Sequence, residues 1–70
     1  MDRKEAVALL KELGTAHLIQ PTFVLIKQRT PDSCELLIKG DYDLKEIDRR
    51  LKNRKFCLEE KKDYLIISRP

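Results

Sequence analysis

Three short, uninterrupted apolar runs constrain this chain most: Phe23-Val24-Leu25-Ile26, Leu36-Leu37-Ile38 and Leu65-Ile66-Ile67. Each is too short to be a helix of its own, and turn residues or charges lie close on either side, so each reads as a strand. A strand exposes alternate residues on opposite faces of its sheet. Runs without alternation therefore place apolar side chains on both faces, and both faces then need cover.

The rest of the chain offers little to supply that cover. Residues 2–13 read as a helix: Asp2 and Glu5 have capping-box spacing, Ala6, Leu9, Leu10 and Leu13 share a face, and Gly14 stands where a left-handed cap is wanted. Asp43 and Glu46 repeat that spacing ahead of a second helix, residues 44–53, with Leu44, Ile47 and Leu51 as its stripe and Asn53 as its cap. Residues 15–21 read as a connector or the ragged start of a strand, since Pro21 cannot donate to a ladder. Strands are expected at 22–29, 34–39, 55–59 and 64–68, with turns at 30–33 and 60–63.

The expected fold class is α+β: an α-β-β-α-β-β order building a two-layer sandwich, a four-stranded antiparallel or mixed sheet with two helices on one face. At 70 residues the chain is a single domain, 1–70. A chain of this length buries only roughly 60% of its unfolded surface, so a face or an edge is a more natural binding surface than a deep pocket. With two helices on one side, the other side of the sheet is left to a partner, and a second copy is the simplest one. The residues expected on that uncovered face are Phe23, Leu25, Leu37 and Leu65. The face assignment turns on a single residue of register.

Charge points to the alternative. The chain carries 15 Lys and Arg against 12 Asp and Glu, a net charge of +3. The excess lies in residues 45–70, with nine basic and five acidic side chains. Lys45, Arg49, Arg50, Lys52, Arg54 and Lys55, with Lys61 and Lys62 at the last turn, are the candidates for phosphate contacts if the chain binds nucleic acid. Glu46, Asp48, Glu59 and Glu60 interrupt the cluster, and Glu46–Arg50 and Asp48–Lys52 have the spacing of intrahelical pairs.

No catalytic or metal-binding motif is present. Cys34 and Cys57 with the lone His17 do not make a zinc site, and they can meet as a disulfide only on neighbouring strands. His17 has no nucleophile or carboxylate at a recognisable spacing, and sits at a helix end where the dipole favours it. Asp41 and Asp43 are accounted for by a turn and a cap. Glu35 to Ser68 resembles the strand-helix-strand-strand end of small sulfur-carrier domains, whose Cys-Pro-x-Pro motif opens the first helix. Here that helix opens Asp2-Arg3-Lys4-Glu5, so the resemblance implies a small α+β fold and no sulfur chemistry.

The expected function is therefore a non-enzymatic protein-interaction module, homodimeric or with a protein partner, through the uncovered face or an edge strand. Nucleic-acid binding is the alternative. No cofactor, no membrane span and no small-molecule substrate are expected, and the location expected is cytoplasmic.

Overall fold

Asp2 starts the first helix as its spacing predicts. In the computed structural model, which describes residues 1–70, its carboxylate accepts the Glu5 N–H at 2.7 Å. Helix α1 spans Arg3–Thr15 and buries Ala6, Leu9 and Leu13. Its end departs from expectation. Gly14 is helical, and the left-handed residue is His17, with φ 59°. The Leu18 N–H reaches the Leu13 carbonyl and the His17 N–H the Gly14 carbonyl, both at 3.0 Å. These two bonds define a Schellman cap. Gly14 serves close packing instead, since a Cβ there would stand 3.0 Å from the Pro21 Cγ.

Pro21–Phe23 is a turn of 3-10 helix. The first strand therefore starts two residues later than the sequence suggests. Strand β1 is Val24–Thr30, β2 Ser33–Ile38, helix α2 Leu44–Leu51, β3 Cys57–Glu60 and β4 Leu65–Ser68. Asp43 caps α2 by accepting the Glu46 N–H at 3.1 Å. That helix stops at Leu51, two residues short of the expected Asn53, and Asn53 and Lys55 both take positive φ. The left-handed Lys55 also keeps β3 from starting at residue 55.

The sheet is antiparallel throughout, in the order β1-β2-β4-β3. With two helices and this sheet the chain is α+β. Register sets Ile26 beside Leu36, Leu36 beside Ile67 and Ile67 beside Leu58. Leu36, Ile38, Leu65 and Ile67 are fully buried, and they join Ala6, Leu9, Leu13, Ile47 and Leu51 in one core. Each such side chain contributes about 1.5–3 kcal/mol when fully removed from water. Past the end of β4, Met1 takes up the free edge of β2, its carbonyl accepting the Cys34 N–H at 2.6 Å.

Two stability measurements check this description. Ile67→Ala is expected to cost about 2–5 kcal/mol in urea denaturation, against about 1 kcal/mol for the half-buried Ile66→Ala. His17→Gly is expected to raise stability by about 1 kcal/mol, because glycine takes the left-handed conformation without a Cβ clash.

Candidate interaction surface

The residues that alternate with the core define the opposite face of the sheet. Across its middle the register aligns Leu25, Leu37, Ile66 and Glu59, one from each strand. On one side of this row stand Lys27 beside Glu35 and Cys57 beside Ser68. On the other side the ladder continues through two bonds. The Lys39 N–H donates to the Phe23 carbonyl at 3.0 Å, and the Lys61 N–H to the Tyr64 carbonyl at 2.7 Å. The result is an apolar band about one residue deep, bordered by charges of both signs.

Leu25 is 59% exposed and Phe23 54%, the two large apolar side chains most open to solvent. Leu37 and Ile66 are half-buried by their neighbours. Leu65 does not belong here. It is 0% exposed and faces the core, and Ile66 takes the place assigned to it. The apolar triplet Leu65-Ile66-Ile67 gave no alternation from which to read the phase, and only pairing with Leu36–Ile38 sets it. Phe23 lies in the 3-10 turn ahead of β1, at the corner of the face beside Gly40. Gly40 has φ 75°, and a Cβ there would collide with the Gln20 Oε1.

Glu35 was not singled out from sequence. It is buried on this face and paired with Arg29 at 3.6 Å. Lys27, Arg29, Glu35, Cys57, Glu59 and Lys61 line a shallow polar groove between the hairpin arm and β3. Cys57 is exposed and Cys34 is buried on the other face, two strands away, so the two thiols are free. No group of three or more His, Cys, Asp or Glu side chains is placed to hold a metal ion. His17, Asp41 and Asp43 line a second depression near the start of α2, where Asp43 is engaged as the helix cap.

Four members of the basic cluster are engaged by carboxylates of the same chain. Arg54 makes a two-pronged bond to Glu12 of α1, Nη1 to Oε2 at 2.8 Å and Nη2 to Oε1 at 3.0 Å. Arg50 approaches the same carboxylate at 3.6 Å. Arg49 pairs with Glu46 at 2.8 Å and Lys61 with Glu59 at 2.6 Å. The expected Glu46–Arg50 pair does not form, because Glu12 draws Arg50 across to α1 and Arg49 takes Glu46. The Asp48–Lys52 pair does not form either, Lys52 being the non-helical cap past the end of α2. Lys45, Lys52, Lys55 and Lys62 have no ion-pair partner.

A further cation outside the predicted set completes the network. Arg69 grips Glu5 with Nε at 3.0 Å and Nη2 at 2.6 Å, and its Nη1 donates to the carbonyls of Arg54 and Lys55. Its guanidinium lies 4.2 Å from the Phe56 ring centroid, with Arg54 at 5.6 Å. Phe56 is thus covered by arginines rather than offered to a base. A lone Arg beside the terminal Pro70 carries no sequence signal of this role.

No helix is long and apolar enough to cross a membrane. Compared with protein-family models, curated proteins and solved structures, the chain matches none. The likeness to sulfur-carrier domains gains no support there.

Hydrogen bonds from Arg54 hold the Glu12 carboxyl below its ordinary value of 4.5, against an opposing effect of burial. Arg69 does the same for Glu5. A carboxyl lowered on folding adds stability above its unfolded pKa and loses it as pH falls through the folded one. Stability is therefore expected to decline as pH drops below the ordinary carboxylate range. Glu12→Gln is expected to cost about 1 kcal/mol at neutral pH, with wild type and variant converging in urea midpoint under strong acid.

Proposed function

We propose that this chain is a non-enzymatic protein-interaction module whose docking surface is the uncovered sheet face, Phe23, Leu25, Leu37 and Ile66. The observation that carries the reading is the apolar row that begins at the exposed Leu25 and crosses the sheet at the half-buried Leu37 and Ile66. A two-layer arrangement, both helices over one face, belongs to the same reading. In its support, the residues that α1 and α2 bury join the same core as the inward strand residues. The partner is a protein, a second copy of this chain included, and a cytoplasmic location goes with the reading. Apolar rows rimmed by both signs of charge suit protein surfaces, whose interface cores are poor in charge and whose rims are polar.

Nucleic-acid binding through the second helix and last hairpin is the other reading. The observation that favours it is that Lys45, Lys52, Lys55 and Lys62 stay free of ion pairs. Against it, Arg50, Arg54, Arg49 and Lys61 are neutralised by carboxylates of the same chain. Phosphates would have to displace those carboxylates before gaining the arginines.

A photo-activated phenylalanine analogue at Leu37, irradiated in extract of the source cells, is expected to give discrete protein adducts. The same probe at exposed Arg49 is expected to give none. Absence of any protein adduct at position 37 would overturn the sheet face as the docking surface. In fluorescence anisotropy at low salt, mixed DNA and RNA fragments are expected to bind only weakly. Tight binding that falls steeply with salt and is lost in Lys52→Glu with Lys55→Glu would put the nucleic-acid reading first.

A further inference from the structure

We propose that the partner is a second copy of this chain, joined through the outer edge of β1 so that the two sheets run together as one. This rests on the interaction-module reading and names its partner and its geometry.

The argument starts from which backbone groups β1 leaves free. The Lys39 N–H bonds the Phe23 carbonyl, so Phe23 and Lys39 form a hydrogen-bonded pair. Antiparallel ladders alternate. Leu25–Leu37 and Lys27–Glu35 then exchange bonds, whereas Val24, Ile26 and Gln28 turn their N–H and C=O groups outward. The Val24 N–H caps the 3-10 turn by donating to the Pro21 carbonyl, which leaves the Val24 carbonyl and the Ile26 and Gln28 groups for the edge. The edge is regular until the register shifts between Gln28 and Thr30. There the Gln28 side chain folds back and donates to the carbonyls of Thr30 and Pro31.

The opposite edge is closed to the same use. β3 has four residues, two of them Glu, and its Glu60 carboxylate accepts the Tyr42 hydroxyl at 2.9 Å. Short, charged edges resist strand addition. β1 has seven residues, and its one Lys before the register shift is Lys27. It also carries Leu25 and follows Phe23, the two most exposed large apolar side chains.

Charge and backbone together select the register. Two copies of β1 can pair antiparallel about a two-fold axis through Leu25, Ile26 or Lys27. An axis through Lys27 sets Lys27 against itself, and like charges directly opposite are destabilising. An axis through Leu25 slides the pairing back into the 3-10 turn at Pro21–Phe23, where Pro21 has no N–H to give. An axis through Ile26 avoids both faults. It pairs Val24 with Gln28 and Ile26 with itself through about four backbone bonds, the Val24 N–H of each copy being held by its own Pro21 carbonyl. On the open face it sets each Leu25 beside the aliphatic stem of the other copy's Lys27. The two apolar rows, Leu25-Leu37-Ile66, then meet end to end across the seam.

Sedimentation equilibrium from low to high micromolar concentration tests this, with hydrogen exchange read at both ends. The wild type is expected to move toward twice its 8.3 kDa chain mass. The Ile26 and Gln28 amides are expected to gain protection as it does, while those of Leu25 and Lys27, already bonded to β2, stay unchanged. Leu25→Lys faces Lys27 across the seam and is expected to weaken the dimer about tenfold or more. Leu25→Glu meets Lys27 with opposite charge and is expected to stay within about threefold of wild type. Equal loss in both variants overturns the register. A dimer with no protection at Ile26 and Gln28, broken by Leu37→Lys, overturns edge pairing and leaves the open-face reading standing. A wild type that stays monomeric overturns the self-pairing. In that case a Leu37 cross-link to another protein keeps the interaction-module reading, and its absence overturns the sheet face as the docking surface as well.

Discussion

The antiparallel pairing of β2 with β4 sets Leu36 against Ile67 and Ile38 against Leu65, and the rest of the molecule is arranged around it. With Cys34, these four side chains are the sheet's share of the fully buried core. Because strand periodicity is two, this one register decides which half of each apolar run goes inward. The residues that α1 and α2 bury join this inward set in one core, and the surplus apolar residues Leu25, Leu37 and Ile66 fall together on the opposite face. A core this small has little redundancy. A one-residue slip in β4 would exchange Ile66 for Leu65 and Ile67 and leave the helices facing a thinner apolar surface.

Electrostatics do a separate job. Glu12 and Glu5 on α1 receive Arg50, Arg54 and Arg69, which come from the second helix, the turn after it and the chain's end. Arg69 also satisfies the carbonyls of Arg54 and Lys55, where the left-handed Asn53 and Lys55 leave the backbone irregular. Exposed ion pairs contribute little singly. Here they sit on a shared aromatic, Phe56, and tie together elements with no strand pairing between them. The same contacts draw the arginines away from the role of a free basic patch.

The open face and the β1 edge follow from the same shortage. Two short helices cannot wrap a four-stranded sheet. One side of it keeps an apolar row, and one edge keeps its outward backbone groups. The other edge is kept short, acidic and held by Tyr42. The two edges therefore differ in length and charge.

Most of the local structure was legible in the residues. Asp2 with Glu5 and Asp43 with Glu46 mark the helix starts, since a cap is a contact between neighbours in sequence. The apolar runs mark the strands, and Thr30-Pro31-Asp32-Ser33 marks the hairpin, for the same reason. Less was legible where two distant segments compete for one group. Gly14 looks like a cap but is claimed by packing against Pro21, so His17 takes the left-handed turn. Arg50 looks like a partner for Glu46 but is claimed by Glu12. Leu65 looks equivalent to Ile66 until Leu36 and Ile38 are set beside them. The sequence by itself determined the elements and the excess of apolar surface over what two helices can bury, because propensity, capping and composition are local properties. Only the tertiary structure decided the phase of each strand, the neutralisation of the arginines and the choice of free edge. Each of these depends on contacts between residues far apart in the chain, which no short window of sequence contains.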